Sequence, residues 1–271
     1  MSASDGGKTQ MKARAEAAAL LPQTKVTLVA WYGPKEALLA SLIAELEALV
    51  AKELGKLFEP YAPEQVHATV IGLETVVHHE RRVGANFLLA RDVDAEIDPE
   101  RALEIIQTSE HLPFALRIGG QRPDEPAEFL SRDQHPFLRS ACVRGGAVVA
   151  MGWPWKDARW TSSLEGIRRE LRAAGFLHKW HAREDDVDND GYFVLGRASV
   201  ADLSVSEVDR IEQLLRKRLA ERVVDVPLRR EDLFVVAYED PRLPLETSRA
   251  WRAVELTPEK LAAILAGEAD G

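Results

Sequence analysis

A single cysteine, Cys142, stands among the 271 residues. No intrachain disulfide can form, and the simplest setting is a reducing, cytoplasmic one. No run of ~18 apolar residues occurs, so no membrane span is expected. The first ten residues, Met1 to Gln10, lack the apolar stretch of a secretory leader, and residues 1–22 read as a flexible tail. No Cys/His cluster has zinc-ligand spacing, and no Ser-His-Asp pattern stands in recognisable context. Neither a metal nor a cofactor is expected. Positive charge is in deficit, with 35 Lys and Arg against 44 Asp and Glu, a formal net charge of −9. That balance argues against broad binding to duplex DNA, which sets a surplus of cations against phosphates. It is compatible with a small anion held in a local pocket.

What the chain does have is core material. Hydrophobic residues make up 46% and charged residues 29%, the balance of a globular protein with a substantial interior. Lys25 to Tyr32 is a β-rich run broken by Gly33-Pro34. From Lys35 to about Leu57, apolar residues recur at helical spacing (Leu38, Leu39, Leu42, Ile43, Leu46, Leu49, Val50), and Pro60 and Pro63 end the segment. Val66 to Leu73 reads as a second strand. A helix is expected after Pro99 to Thr108, a strand over Phe114 to Ile118, and a long loop over Gly119 to Asp133. Ala141 to Gly152 reads as a hairpin turning at Gly145-Gly146. Thr161 or Ser162 starts a helix that Gly175 stops. Tyr192 to Val200 is a strand, Ser204 or Ser206 caps a helix to about Arg222, and strands follow at Val223 to Val226 and Leu233 to Tyr238. Strand, helix, strand thus appears once in each half, which suggests two related lobes.

His67-Ala68-Thr69 carries the clearest chemical signal. In a strand, residues 67 and 69 share one face, so an imidazole and a hydroxyl can converge on one phosphate oxygen. The imidazole can transfer a proton near neutral pH, and the hydroxyl can donate to the anion. The plain alternative is a hydrogen-bonded histidine at a strand start.

The strand KVTLVAWY, the long amphipathic helix and then VHATVIGLE resemble the first half of the 2H phosphoesterase superfamily, the cyclic phosphodiesterase and 2′-5′ RNA ligase-like proteins. The resemblance covers about half the chain and leaves residues 74–152 unmatched. It implies an α+β, two-lobed, pseudo-symmetric fold of antiparallel sheets flanked by helices. It also implies two His-x-Ser/Thr motifs facing each other across a cleft, with one histidine as base, the other as acid, and no metal in the step. His67 and Thr69 fill the first motif and are its implied catalytic pair. Tyr192-Phe193-Val194-Leu195-Gly196-Arg197 resembles the second motif strand, with Tyr192 where the histidine belongs and Val194 where the Thr belongs. Tyr192 is the implied substrate-binding residue there. Phe234 and Val236 offer a less favoured alignment.

The resemblance implies a phosphodiesterase acting on a small nucleotide or an RNA-end phosphate, 2′,3′-cyclic or 2′-5′. The alternative it leaves open is a catalytically weak or inactive nucleotide sensor or protein-interaction module on the same fold. Any protein partner is unspecified. His178 and His181, just before the Tyr192 strand, could supply the missing imidazole, and His78-His79 could do so less readily. Asp186 to Gly191 matches the opening of a calcium loop, but Arg197 occupies the twelfth position, where a Glu ligand belongs. Trp153, Trp155 and Trp160 read as an aromatic platform or as the cover of a core edge. Arg168, Arg169 and Arg172 read as a solvated helix face. The expected organisation is one domain over 23–245 and a C-terminal helix or tail over 246–271.

Overall fold

The computed structural model describes residues 25–268; the tail expected over 1–22 lies outside them. Every strand pairing is antiparallel. An α+β architecture with antiparallel sheets and packed helices therefore stands.

Strand β1 (Lys25–Ala30) leads to helix α1 (Ala37–Leu54). The strand ends because Trp31 turns left-handed at φ 57°. The Trp31 indole N–H donates to the Pro227 carbonyl at 3.1 Å, and its ring stacks on Phe193 with centroids 5.6 Å apart. Helix α1 buries Leu39, Leu42, Ile43, Leu46, Val50 and Leu54, the three-and-four spacing that puts side chains on one stripe. Leu38 falls outside that stripe and is 61% exposed. A short β2 (Phe58–Pro60) and then β3 (Ala68–Gly72) follow.

The segment after β3 holds elements that hydrophobic periodicity did not mark. β4 (Thr75–His78) and β5 (Arg81–Gly84) form a separate two-stranded sheet, followed by the short α2 (Ala85–Arg91). Next come α3 (Pro99–Thr108), β6 (Phe114–Ile118), the one-turn α4 (Pro136–Arg139), β7 (Ala141–Arg144), β8 (Ala147–Lys156) and β9 (Arg159–Trp160). Helix α5 (Ser163–Glu170) is stopped through a 3-10 turn by Gly175 at φ 83°. The chain closes with β10 (Gly191–Ala198), α6 (Val205–Glu221), β11 (Val224–Leu228), β12 (Leu233–Tyr238), β13 (Arg249–Arg252) and α7 (Pro258–Ala266). Helix α6 begins with a complete capping box between Ser204 and Glu207.

The main sheet runs β11-β6-β8-β10-β3-β1-β12-β13, with β2, β7 and β9 paired beside this path. Residues 246–268 are thus tied in: β13 extends the sheet along β12, and α7 packs on α3. One face of the sheet, with Leu28, Ala68, Phe193 and Val235, shares a single core with α1, α3, α5, α6 and α7. The other face carries no such helix layer. Thr69 and Phe234 stand beside Val29 on it, and Tyr192 and Val194 pack there with Val149, Met151 and Trp153. In the middle of the path, β3 meets β10 through Ala68 and Phe193. Those residues are the centres of the tripeptides 67–69 and 192–194.

Candidate functional site

His67 sits one residue ahead of β3, between buried Val66 and buried Ala68. Its Nδ1 lies 2.7 Å from the Gln65 carbonyl. A carbonyl only accepts, so Nδ1 carries the proton and Nε2 keeps a free lone pair. The Tyr32 ring meets the imidazole edge-on at 6.1 Å and is itself fixed by its hydroxyl donating to the Leu243 carbonyl. Desolvation pushes the imidazole down to about 4; the Gln65 hydrogen bond opposes this and the nearby Lys35 ammonium adds to it. By surface area the residue is only half-buried. The pocket reconciles the two, because it leaves a mouth to solvent while its walls displace the hydration a charged ring needs. At neutral pH His67 is therefore an uncharged base.

His67 and Thr69 line one pocket of about 190 Å³, together with Thr27, Glu74, Asn86, His178, Lys179 and Tyr238. The Tyr238 hydroxyl donates to Glu74 Oε1 at 2.7 Å, and burial together with that carboxylate drives its ionisation upward. Glu74 folds back over Gly72, where a Cβ would stand 2.1 Å from Oε2. Asn86 donates to the Leu177 carbonyl at 3.0 Å and so anchors the backbone just ahead of His178. The imidazole of His178 is buried. Its Nδ1 lies 3.6 Å from Asp188 Oδ2, too far for a hydrogen bond, and has no partner. Desolvation, and then the Arg168 charge, hold its ionisation well below the ordinary histidine range. Of the two histidines ahead of β10, His178 lines the pocket. His181 turns inward, with Nε2 on Glu165 Oε2 at 2.8 Å.

Arg168 fixes both walls. The expected solvated face is wrong for this residue, which is 1% exposed. Nε donates to the Val70 carbonyl at 2.7 Å and Nη2 to the Thr69 carbonyl at 3.1 Å. Nη1 donates to the Asp188 carbonyl at 2.7 Å and Nη2 also to the Asp190 carbonyl at 3.1 Å. β3 pairs with β10 only at Ala68, and its register with β1 slips between Leu28 and Val29. One guanidinium thus joins the half-site strand to the connector that carries His178.

Tyr192 shares the open face but belongs to a different cluster. Its hydroxyl accepts from Arg139 at 2.8 Å, and Arg139 also holds Asp190 at 2.7 Å. Asp190 Oδ1 accepts from Ser131 and from the Trp153 indole, each at 2.7 Å. Burial raises the Asp190 carboxyl, but these donors outweigh it and hold the group below its usual range. Tyr192 packs beside Trp153, and neither it nor Val194 lines the His67 pocket. The run Asp186 to Gly191 is no open calcium loop, since Asp188 is engaged by Arg132 and Asp190 by Arg139. Trp153 and Trp160 line a second cavity of about 780 Å³ with Trp180, and Trp155 lies outside it.

Lys179, Asn86, Glu74 and Tyr238 went unmarked in the sequence. Lys179 is adjacent to a histidine already under suspicion, and Glu74 follows the motif strand directly. Asn86 and Tyr238 come from elements whose direction single-strand periodicity does not fix. Among the described residues, no helix is long and apolar enough to cross a membrane. No family model and no curated protein matches the sequence.

Proposed function

We propose that the protein is a divergent phosphodiesterase of the 2H kind, acting on a small nucleotide or RNA-end phosphate, 2′,3′-cyclic or 2′-5′, by metal-free acid/base chemistry. The observation that carries this reading is that His67, Thr69, Lys179 and a second imidazole, His178, line one pocket. The pairing of Ala68 with Phe193 at the centre of an eight-strand path supports the two-lobed pseudo-symmetric part of it. So does the recurrence of strand, helix and neighbouring strand as β1-α1-β3 and β8-α5-β10. The chain-order doubling expected from sequence paired β10 with β11, which instead lies at the far edge beside β6.

In the proposed step, His67 Nε2 removes a proton from the attacking water as the new O–P bond forms. The Thr69 hydroxyl and the Lys179 ammonium hold the phosphoryl oxygens, where charge builds. His178 is neutral in the empty pocket. The Arg168, Lys179 and Arg132 charges oppose its protonation, whereas a phosphate anion favours it; in the proposed step His178 takes up a proton as ligand binds. It passes that proton to the leaving oxygen as the old P–O bond breaks, and His67 returns its own to solvent.

The second reading is a catalytically weak or inactive nucleotide sensor on the same fold. It is favoured by β10, which brings no imidazole to the pocket and ties Tyr192 to Arg139.

The test is turnover of 2′,3′-cyclic nucleotides and short 2′-5′-linked oligonucleotides in EDTA by wild type and His67→Ala. Turnover that the substitution abolishes supports the enzyme. Ligand-raised melting temperature without turnover supports the sensor, and neither response refutes both.

A further inference from the structure

The hairpin β4–β5 turns through His79 and Glu80, at φ 48° and 63°. Such two-residue turns favour Asn and Gly, because other side chains are strained with φ > 0. A Glu there gains nothing from the turn itself. The left-handed backbone does have one consequence: it swings the His79 ring back over His78, with centroids 4.0 Å apart, although neighbours in a strand point to opposite faces.

A third group completes the cluster. His78 Nδ1 lies 2.7 Å from Asp94 Oδ1. Asp94 is held beside the hairpin by its own backbone neighbourhood. Gly84 N–H donates to the Ala95 carbonyl at 3.0 Å, Ile97 N–H donates to the Arg82 carbonyl at 3.1 Å, and Val83 bridges to Glu96. The side chains of His78 and Asp94 are 26% and 27% exposed, so an ion could reach them without prising open the core.

We infer that His78, His79 and Asp94 form a binding site for a borderline divalent cation of the zinc, nickel or copper type, outside the His67 pocket. One donor atom from each residue lies within 4.8 Å of the others. Ligands ~2.1 Å from a tetrahedral ion stand ~3.4 Å apart. His78 Nδ1 and Asp94 Oδ1, now 2.7 Å apart, would therefore part slightly to admit the ion, and any closing falls to His79, which is exposed. Two imidazoles and one carboxylate select this class over magnesium or calcium, which prefer all-oxygen shells. His78 would bind through Nδ1 with its proton carried on Nε2, and solvent would complete the fourth position. Arg81 Nη2 lies 3.5 Å from Asp94 Oδ2. It faces Oδ2 and leaves Oδ1 to His78, so it orients the carboxylate, but its charge opposes the ion and keeps affinity modest. The bound ion would clamp the hairpin to the segment 94–97. This site is independent of the phosphodiesterase reading, whose chemistry proceeds in EDTA.

The experiment is calorimetric titration of the full chain with zinc chloride in chelator-free buffer, with magnesium chloride as comparison. Wild type should bind one zinc ion, and its melting temperature should rise with zinc concentration. His79→Ala and Asp94→Ala should each weaken binding by about tenfold or more, while His67→Ala and His178→Asn leave it unchanged. His79 is exposed, so its loss does not threaten folding. The inference is overturned by no zinc binding, by binding that His79→Ala and Asp94→Ala leave intact, or by magnesium binding as tightly as zinc.

Discussion

Two clusters share the open face of the sheet and differ in one respect. Around Tyr192, the phenol, the Arg139 guanidinium, the Asp190 carboxylate, the Ser131 hydroxyl and the Trp153 indole satisfy one another. Around His67, two imidazoles each keep an open valence. Gln65 takes one nitrogen of His67 and leaves the other, and Asp188 stops short of His178. A buried network that closes on itself rigidifies, whereas one that leaves donors and acceptors open is prepared for a ligand. The same strand pair thus supplies a scaffold on one side and a candidate site on the other.

The comparison breaks most decisively if His67→Ala leaves turnover intact. A loss of about 10²- to 10⁴-fold in kcat is expected, with little change in melting temperature. Next in size is Arg168→Met, which leaves the β3 carbonyls without their donor and the buried Asp188 carboxylate with Arg132 as its remaining cation. Removing one partner of a buried charged pair costs ~3–5 kcal/mol, so denaturant titration should show a loss of that order.

The pH dependence separates the two clusters. Turnover needs neutral His67 and should fall as pH drops through about 4. Inorganic phosphate itself gains a proton between pH 8 and 5, so His178 is read from the difference between proteins: wild type should gain affinity relative to His178→Asn as pH falls, because His178 takes up a proton on binding. Stability should run the other way. The His67 imidazole titrates near 6.5 when unfolded and lower when folded, so the unfolded chain binds more protons below pH ~6.5 and acid destabilises the fold. Asp190 acts in the same direction at lower pH, since its folded carboxyl is held down. Chemical denaturation across pH 4 to 8 measures this.

The smallest effect belongs to Tyr192→Phe. Arg139 would lose one acceptor but keep Asp190, so a stability loss of ~0.5–1.5 kcal/mol is expected, with turnover unchanged. A collapse of turnover in Tyr192→Phe would move the site toward the Tyr192 cluster and dissolve the distinction.

The sequence carried most of the framework because its strands and helices have strong periods. β1, α1, β3, α3, β6, the β7–β8 hairpin, β10, α6 and β12 fall where apolar spacing and caps placed them. The β4–β5 hairpin escaped notice because His79-Glu80 is not a turn signature. The half-site was legible as His67 and Thr69 because a two-residue period on one strand is local information. Lys179 and Tyr238 were not, since they come to the pocket from distant stretches of chain. Arg168 misled outright: on a helix with acidic neighbours it reads as surface, whereas four main-chain carbonyls from two distant segments accept from it in the interior.

That guanidinium has a consequence for how such a site could change over generations. It fastens the strand bearing His67 and the connector bearing His178 to each other through main-chain carbonyls, without using any side chain of β10. Positions 192 and 194, which do not line the His67 pocket, can therefore vary without touching the link that joins the segments of the two imidazoles.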